Sequence, residues 1–217
     1  MIIPSGSRCI DSLLGGGVET GTITQFYGTS GTGKTTICLM LAKSAAEFAK
    51  VAFIDTEGLS AARVRQIFGE ESRFANVYVF DVLDFKQQSV AVKEAEKLCR
   101  SENVKLIIVD SFTALYRSEL EDDKHVKVKR ELTQQLTFLL GIARKYDVAV
   151  VITNQMFTDV KSGEDKPLGG TSVEHLSKVI VALERIGDRR IARLVKHRWL
   201  PEGLSCEFRI TDKGIEP

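Results

Sequence analysis

Gly28-Thr29-Ser30-Gly31-Thr32-Gly33-Lys34-Thr35 matches the pattern G-x-x-x-x-G-K-[ST] at every fixed position. Each residue type in it has a physical task. Gly28, Gly31 and Gly33 carry no Cβ and tolerate φ > 0, so their backbone can wrap closely around phosphate oxygens. The inward-pointing amides form an anion nest, to which a following helix adds the positive end of its dipole. The cradle expected from the pattern runs from Gly28 through Thr29, Ser30, Gly31, Thr32, Gly33, Lys34 and Thr35 to Thr36. Lys34 is expected to set a compact charge on the β- and γ-phosphates, and the Thr35 hydroxyl to ligate Mg²⁺. Context decides the reading. Thr22-Ile23-Thr24-Gln25-Phe26-Tyr27 reads as a strand running in, and Thr36-Ile37-Cys38-Leu39-Met40-Leu41-Ala42 as a helix running out. That strand–loop–helix setting implies a nucleoside triphosphate site in an α/β fold.

Working outward, residues 5–14 lead to Gly15-Gly16-Gly17, a helix-like turn that glycines stop. The helix after the phosphate loop is expected to run to about Lys50. Residues 51–55 form a short apolar run of the kind a buried parallel strand shows, ending in Thr56-Glu57-Gly58. A helical stretch over 61–68 and a strand over 77–80 follow. Residues 89–100 place Val90, Val92, Ala95 and Leu98 on one side, a stripe suited to a helix covering a sheet. Residues 104–110 read as another buried strand, closing on Asp110. Residues 126–146 read as the longest helix, with Leu132, Leu136, Leu139, Leu140 and Ala143 inward, and 148–154 as the next strand. The polar stretch 156–170, ending Lys166-Pro167-Leu168-Gly169-Gly170, reads as a mobile functional loop. Strand-like runs at 179–184, 190–196 and 207–210 are joined by Gly187-Asp188 and Pro201-Glu202-Gly203 turns. The pattern implies one domain over 1–217, a mostly parallel sheet flanked by helices with antiparallel strands at its C-terminal end.

Composition narrows the partners. The 217 residues hold 30 Lys+Arg against 29 Asp+Glu, a net charge of +1. No global field draws such a chain onto nucleic acid or membrane, so any contact with either must come from a local patch. No apolar run approaches a membrane span, and no charged segment precedes Met1-Ile2-Ile3, so neither a membrane partner nor a signal peptide is expected. Cys9, Cys38, Cys99 and Cys206 are scattered, without a C-x-x-C pair or a His at ligand spacing. That spacing predicts neither disulfide nor zinc, and a cytoplasmic setting.

Hydrolysis needs more than a phosphate cradle. Asp110, at the carboxyl end of a hydrophobic strand, suits the second Mg²⁺-positioning acid of such folds. Glu57 sits just past another strand end, where a carboxylate can polarise a water for attack on a γ-phosphate. Asn154-Gln155 closes a third strand, and the Gln155 amide can both donate to a phosphate oxygen and accept from water. The catalytic set expected is therefore Lys34, Glu57 and Gln155. No N-K-x-D motif for guanine occurs, which favours ATP.

The order of these features carries a resemblance. Ser5-Gly6-Ser7 through Gly15-Gly16-Gly17-Val18-Glu19-Thr20-Gly21, the phosphate loop, Ile54-Asp55-Thr56-Glu57-Gly58, Asp110-Ser111-Phe112-Thr113-Ala114-Leu115-Tyr116-Arg117, residues 148–155 and Lys166-Pro167-Leu168-Gly169-Gly170 together resemble the RecA/RadA recombinase family. The resemblance spans nearly the whole chain. It implies a RecA-like P-loop NTPase core using ATP and Mg²⁺, in which Glu57 activates water and Gln155 links nucleotide state to a DNA loop. It also implies two DNA-facing loops, near 117–127 and 156–170, with Arg117, Lys127, Lys161 and Lys166 as candidate DNA contacts. By the same similarity Arg63 stacks on adenine.

Departures narrow the expectation to a core-only paralogue of RadA. With the core motifs starting near residue 5, neither the family's helix-hairpin-helix domain nor the linker whose Phe-x-x-Ala segment docks onto the next subunit is expected. Residues 119–125 are acidic where strand-exchange members tend to be Gly/Arg-rich, and carboxylates facing phosphates repel them. The resemblance then implies ATP binding, very weak hydrolysis, DNA binding without strand exchange, and an accessory role in homologous recombination and repair. Implied partners are single-stranded or branched DNA, a RadA-type recombinase and a junction-resolving nuclease, with self-association open. The alternative is a nucleotide-liganded regulator acting by protein contact with the recombinase or a Holliday-junction nuclease. Finally, Lys196-His197-Arg198 on a strand would point Lys196 and Arg198 to one face. Three uses stay open for them: fingers reaching a neighbour's γ-phosphate, DNA contacts with Arg189, Arg190 and Arg193, or a charged, solvated edge.

Overall fold

The computed structural model describes residues 1–69, 72–119, 125–158 and 165–217. The first strand pair, β1 (Ile2–Ile3) and β2 (Val18–Glu19), flanks α1 (Arg8–Leu13). Next come β3 (Ile23–Gly28), α2 (Lys34–Ala45), β4 (Lys50–Asp55), α3 (Ala61–Phe68), a 3₁₀ turn (Ser72–Asn76), β5 (Val77–Asp81), α4 (Phe85–Ser101) and β6 (Val104–Asp110). The second half runs α5 (Ala114–Ser118), α6 (His125–Tyr146), β7 (Ala149–Asn154), β8 (Met156–Thr158), β9 (Asp165–Pro167) and α7 (Thr171–Leu176). The tail is β10 (Val179–Ile186), β11 (Arg189–Lys196), β12 (Ser205–Thr211) and β13 (Gly214–Glu216).

Nine of these strands make one sheet in the order β13-β12-β11-β10-β3-β7-β6-β4-β5. The strands from β10 to β5 are mutually parallel, and β11, β12 and β13 add on antiparallel. Near-continuous apolar strands such as Val104-Lys105-Leu106-Ile107-Ile108-Val109 are what burial on both faces requires. Alternation then sorts side chains between two cores. Leu106 and Ile108 join the α1–α2–α3 side, while Ile107 and Val109 join the α4–α6 side. Ser60 caps α3 by accepting from the Arg63 N–H, and Asp84 caps α4 by accepting from the Gln87 N–H.

β3 and the strand that follows it, β4, are separated in the sheet by β7 and β6. Helical crossovers therefore leave from the carboxyl ends of β3, β4, β6 and β7 along one edge, where a crevice opens. Register aligns that edge: Tyr27 pairs with Asn154, and Asp55 with Asp110.

Several expectations need correction. The helix after the phosphate loop stops at Ala45 rather than near Lys50, because Ala46 to Ala49 turn the chain into β4. Of the expected α4 stripe Val90 is exposed, whereas Val92, Ala95 and, in part, Leu98 face the core with Phe85, Gln88 and Ala91. The stretch read as a loop over 156–170 opens and closes as an antiparallel ribbon, Met156 pairing with Pro167 and Thr158 with Asp165. The cysteine reading also fails: Cys9 and Cys206 form a disulfide joining α1 to β12, with Cα atoms 5.7 Å apart. Spacing along the chain carried no information here, since the bond spans 197 residues of sequence. With it falls the cysteine argument for a reducing compartment. Among the described residues no helix is long and apolar enough to cross a membrane.

Candidate nucleotide site

The phosphate loop is bent by two different glycine requirements. Gly33, the N-cap of α2, has φ 103°, a conformation that costs side-chain-bearing residues dearly. Gly28 has no positive φ; a Cβ there would lie 2.3 Å from the Leu183 carbonyl oxygen, so close packing of β3 on β10 excludes one. Space, not backbone freedom, demands glycine at 28.

Loop and helix open into a cleft of about 470 Å³. Its lining includes Gly28, Thr29, Ser30, Gly31, Gly33, Lys34, Thr35 and Thr36 of the loop and first helical turn, with Glu57, Gln155 and Met156 from beyond the ends of β4 and β7 and Arg117 from α5. A larger apolar cleft, about 810 Å³ along α6, holds none of the phosphate-loop residues. Lys34 Nζ donates to the carbonyls of Gly28 (2.8 Å) and Thr29 (2.9 Å), so its charge sits on the loop floor. Burial pushes the Lys34 ammonium below the ordinary lysine value, against the pull of Glu57 and Asp110.

Asp110 is almost wholly buried and accepts hydrogen bonds from the hydroxyls of Thr153 and Thr35. Burial raises its carboxyl above the ordinary range, the two hydroxyls oppose that rise, and Glu57 adds to it. A hydroxyl and a carboxylate held together are hard oxygen donors of the kind Mg²⁺ takes. No group of three His, Cys, Asp or Glu side chains placed to hold a metal occurs among the described residues. Mg²⁺ does not require one, since it usually keeps waters and substrate phosphates beside one or two carboxylates. The donor set fits the ion.

Glu57 Oε1 accepts from Gln155 Nε2 at 2.6 Å, bridging the ends of β4 and β7. What aims Glu57 is Asp55, a residue to which the sequence reading assigned no role. Its carboxylate accepts from the amides of Glu57 (3.2 Å), Gly58 (3.0 Å) and Leu59 (2.5 Å), locking the turn. An acid followed closely by glycine at a strand end is a turn signal that could have revealed it. Thr113 and Asn154 were likewise missed: the Thr113 hydroxyl donates to Asn154 Oδ1 (2.6 Å), and Asn154 Nδ2 donates to the Leu168 carbonyl (2.6 Å). That chain of bonds ties α5, β7 and the base of the β8–β9 ribbon together.

A family model described as Rad51 matches residues 1–217. The chain belongs to the Rad51 family. It is 74% identical to the DNA repair and recombination protein RadB of Archaeoglobus fulgidus, over 100% of this chain and 99% of that one. The RadB of Methanococcoides burtonii is 50% identical, with 97% and 96% covered. A crystal structure described as the RadB recombinase superposes with a TM-score of 0.85 at 35% identity, covering 99% of both chains. The fold is RecA-like, and the relatives are archaeal RadB proteins.

In this Rad51-family chain the remaining expected residues fall in different places. Arg63 donates to Thr36 Oγ1 (3.3 Å) and to the Thr211 carbonyl (2.8 Å), standing between the first turn of α2 and the last hairpin. Arg117 lines the cleft. Lys127 is on the exposed surface of α6, 4.0 Å from Glu131. Lys166 lies on β9 opposite Phe157, while Lys161 and most of the acidic stretch, 120–124, lie outside the described residues. The tail cations are held at home. Lys196 Nζ donates to the carbonyls of Glu174 (2.8 Å) and Ser177 (2.9 Å). β11 ends at Lys196, so Arg198 is not on a strand with it and instead pairs with Glu19 at 3.4 Å. Lys196 also pairs with Ile180, toward the amino end of β10, whereas the phosphate loop begins beside Leu183. The tip of the β10–β11 hairpin does reach that loop: Arg190 Nε donates to the Gly31 carbonyl at 3.4 Å.

Proposed function

We propose that this chain is an ATP-binding, DNA-binding accessory protein of homologous recombination and DNA repair, with weak ATP hydrolysis and no strand exchange of its own. The observation that carries the reading is the Glu57–Gln155 hydrogen bond in the same cleft as Lys34. A carboxylate and an amide from two strand ends there can read the terminal phosphate that the loop holds. The recombination role is supported by what the relatives are called, DNA repair and recombination protein RadB.

The loop amides and Lys34 would bind the phosphates, and Thr35 with Asp110 would hold Mg²⁺. Bound there, the ion would offset charge on the phosphate oxygens. Glu57 orients a water and accepts its proton, since Asp55 fixes the turn that presents it. The Gln155 carbonyl accepts from the Leu168 N–H at 3.0 Å, so a shift of Gln155 toward a phosphate pulls on both strands of the β8–β9 ribbon. That ribbon carries Lys166, a candidate DNA contact. Slow turnover follows from the commitment of Lys196 and Arg198 to partners within the chain.

Replacing Glu57 by glutamine is expected to cut turnover by about 10²–10⁴-fold, the usual yield of a general base, while ATP affinity holds within about twofold. Unchanged turnover would remove Glu57 from the chemistry. Titration of single-stranded DNA with ATP, with ADP and without nucleotide is expected to give tightest binding with ATP; three equal affinities would defeat the coupling. The near-neutral net charge of +1 favours a second reading, a nucleotide-liganded regulator that contacts a RadA-type recombinase or a junction-resolving nuclease. Recombinase binding lost in Lys34→Ala, with no turnover in the unaltered chain, would select it.

A further inference from the structure

We infer that Arg117 is the residue by which this site tells a nucleoside triphosphate from a diphosphate; the inference rests on the ATP reading above. The cleft is lined by two cationic side chains, Lys34 and Arg117. Lys34 is spoken for on the loop floor by the Gly28 and Thr29 carbonyls. Arg117 lines the same cleft, together with Glu57, Gln155 and Met156. Among the described residues no carboxylate pairs with its guanidinium and no hydrogen bond holds the side chain. An unpaired guanidinium facing a phosphate cradle has one kind of ligand that matches its charge and its fork of donors: phosphate oxygens.

The helix carrying Arg117 is anchored so that the side chain can hold station. Tyr116, its neighbour, is buried at 5% exposure and packs on Phe85 at 6.3 Å between ring centroids. Thr113, at the start of α5, donates to Asn154, and the Arg117 amide donates to the Thr113 carbonyl at 3.1 Å. Asn154 precedes Gln155, so one hydrogen-bonded unit carries both the guanidinium and the amide that partners Glu57. The loop amides grip phosphates common to ATP and ADP and Lys34 spans β and γ, whereas a second cation lining the cleft with Glu57 and Gln155 meets only the added terminal group. Arg117 therefore acts on affinity for the triphosphate.

Calorimetric titrations of the full chain with Mg²⁺ and either a non-hydrolysable ATP analogue or ADP test this. Arg117→Ala is expected to weaken the triphosphate by about 10–100-fold, the worth of charge-assisted hydrogen bonds, and ADP by less than about twofold. Arg117→Lys should recover part of the loss, because it restores charge without the bidentate fork. Equal losses for the two nucleotides, or no loss for either, overturn the inference. So does weakened single-stranded DNA binding with nucleotide affinities untouched, which returns Arg117 to DNA. Failure of the unaltered chain to bind either nucleotide, with Lys34→Ala indistinguishable from it, sinks the ATP reading itself.

Discussion

Lys34→Ala is expected to weaken ATP binding by about 30- to 1000-fold, the range for removing one partner of a desolvated charge pair. The side chain is 8% exposed, and its ammonium lies on the carbonyls of Gly28 and Thr29. Truncation removes the charge that offsets both a bound triphosphate and the neighbouring Asp110 and Glu57 carboxylates. The burial that depresses the lysine also lowers the local dielectric, so each charge contact counts for more than in water. The fold should persist, since α2 is seated through Ile37, Cys38, Leu39, Leu41 and Ala42, all buried on the sheet. Circular dichroism and thermal melts would confirm folding while calorimetry reads the affinity. Native binding by a folded Lys34→Ala chain would refute the site.

Reducing the Cys9–Cys206 bond, or replacing Cys9 by serine, is expected to cost about 2–5 kcal/mol of stability. The upper end is favoured because the bond closes a loop of 197 residues, which removes much freedom from the unfolded chain. For a domain of this size that corresponds to a fall of roughly 5–20 °C in melting midpoint. Melts with and without dithiothreitol should separate for the unaltered chain and coincide for Cys9→Ser. Coincident melts for both, with four free thiols titrated in the native protein, would show that the bond is not used. The effect reaches the cleft, because β12 also bears Phe208 and Ile210, which crowd Gly33, and Thr211, whose carbonyl holds Arg63.

Much of the candidate site was legible because its parts are contiguous. The phosphate loop, Glu57 two residues past β4 and Asp110 ending β6 each depend on a strand end and the next few residues, which hydrophobic runs reveal directly. Convergence was legible too, once parallel strands put their carboxyl ends on one edge. The β8–β9 ribbon was hidden, because Met156-Phe157-Thr158 and Asp165-Lys166-Pro167 are short and polar enough to read as loop. Val90 misled because it stands at the edge of a stripe whose other members, Val92, Ala95 and Leu98, do face the core, and only packing settles how wide such a stripe is.

Sequence alone determined the local chemistry: which residues bend around phosphate, which acids close strands, and how apolar periods of two and 3.6 divide strand from helix. Tertiary structure decided who meets whom across distance. It paired Cys9 with Cys206, turned Lys196 onto the carbonyls of Glu174 and Ser177, and brought Arg117 into the cleft that holds Lys34. The reason is physical. Period and propensity are properties of neighbours along the chain, whereas these contacts depend on strand order and on which helix face each core admits.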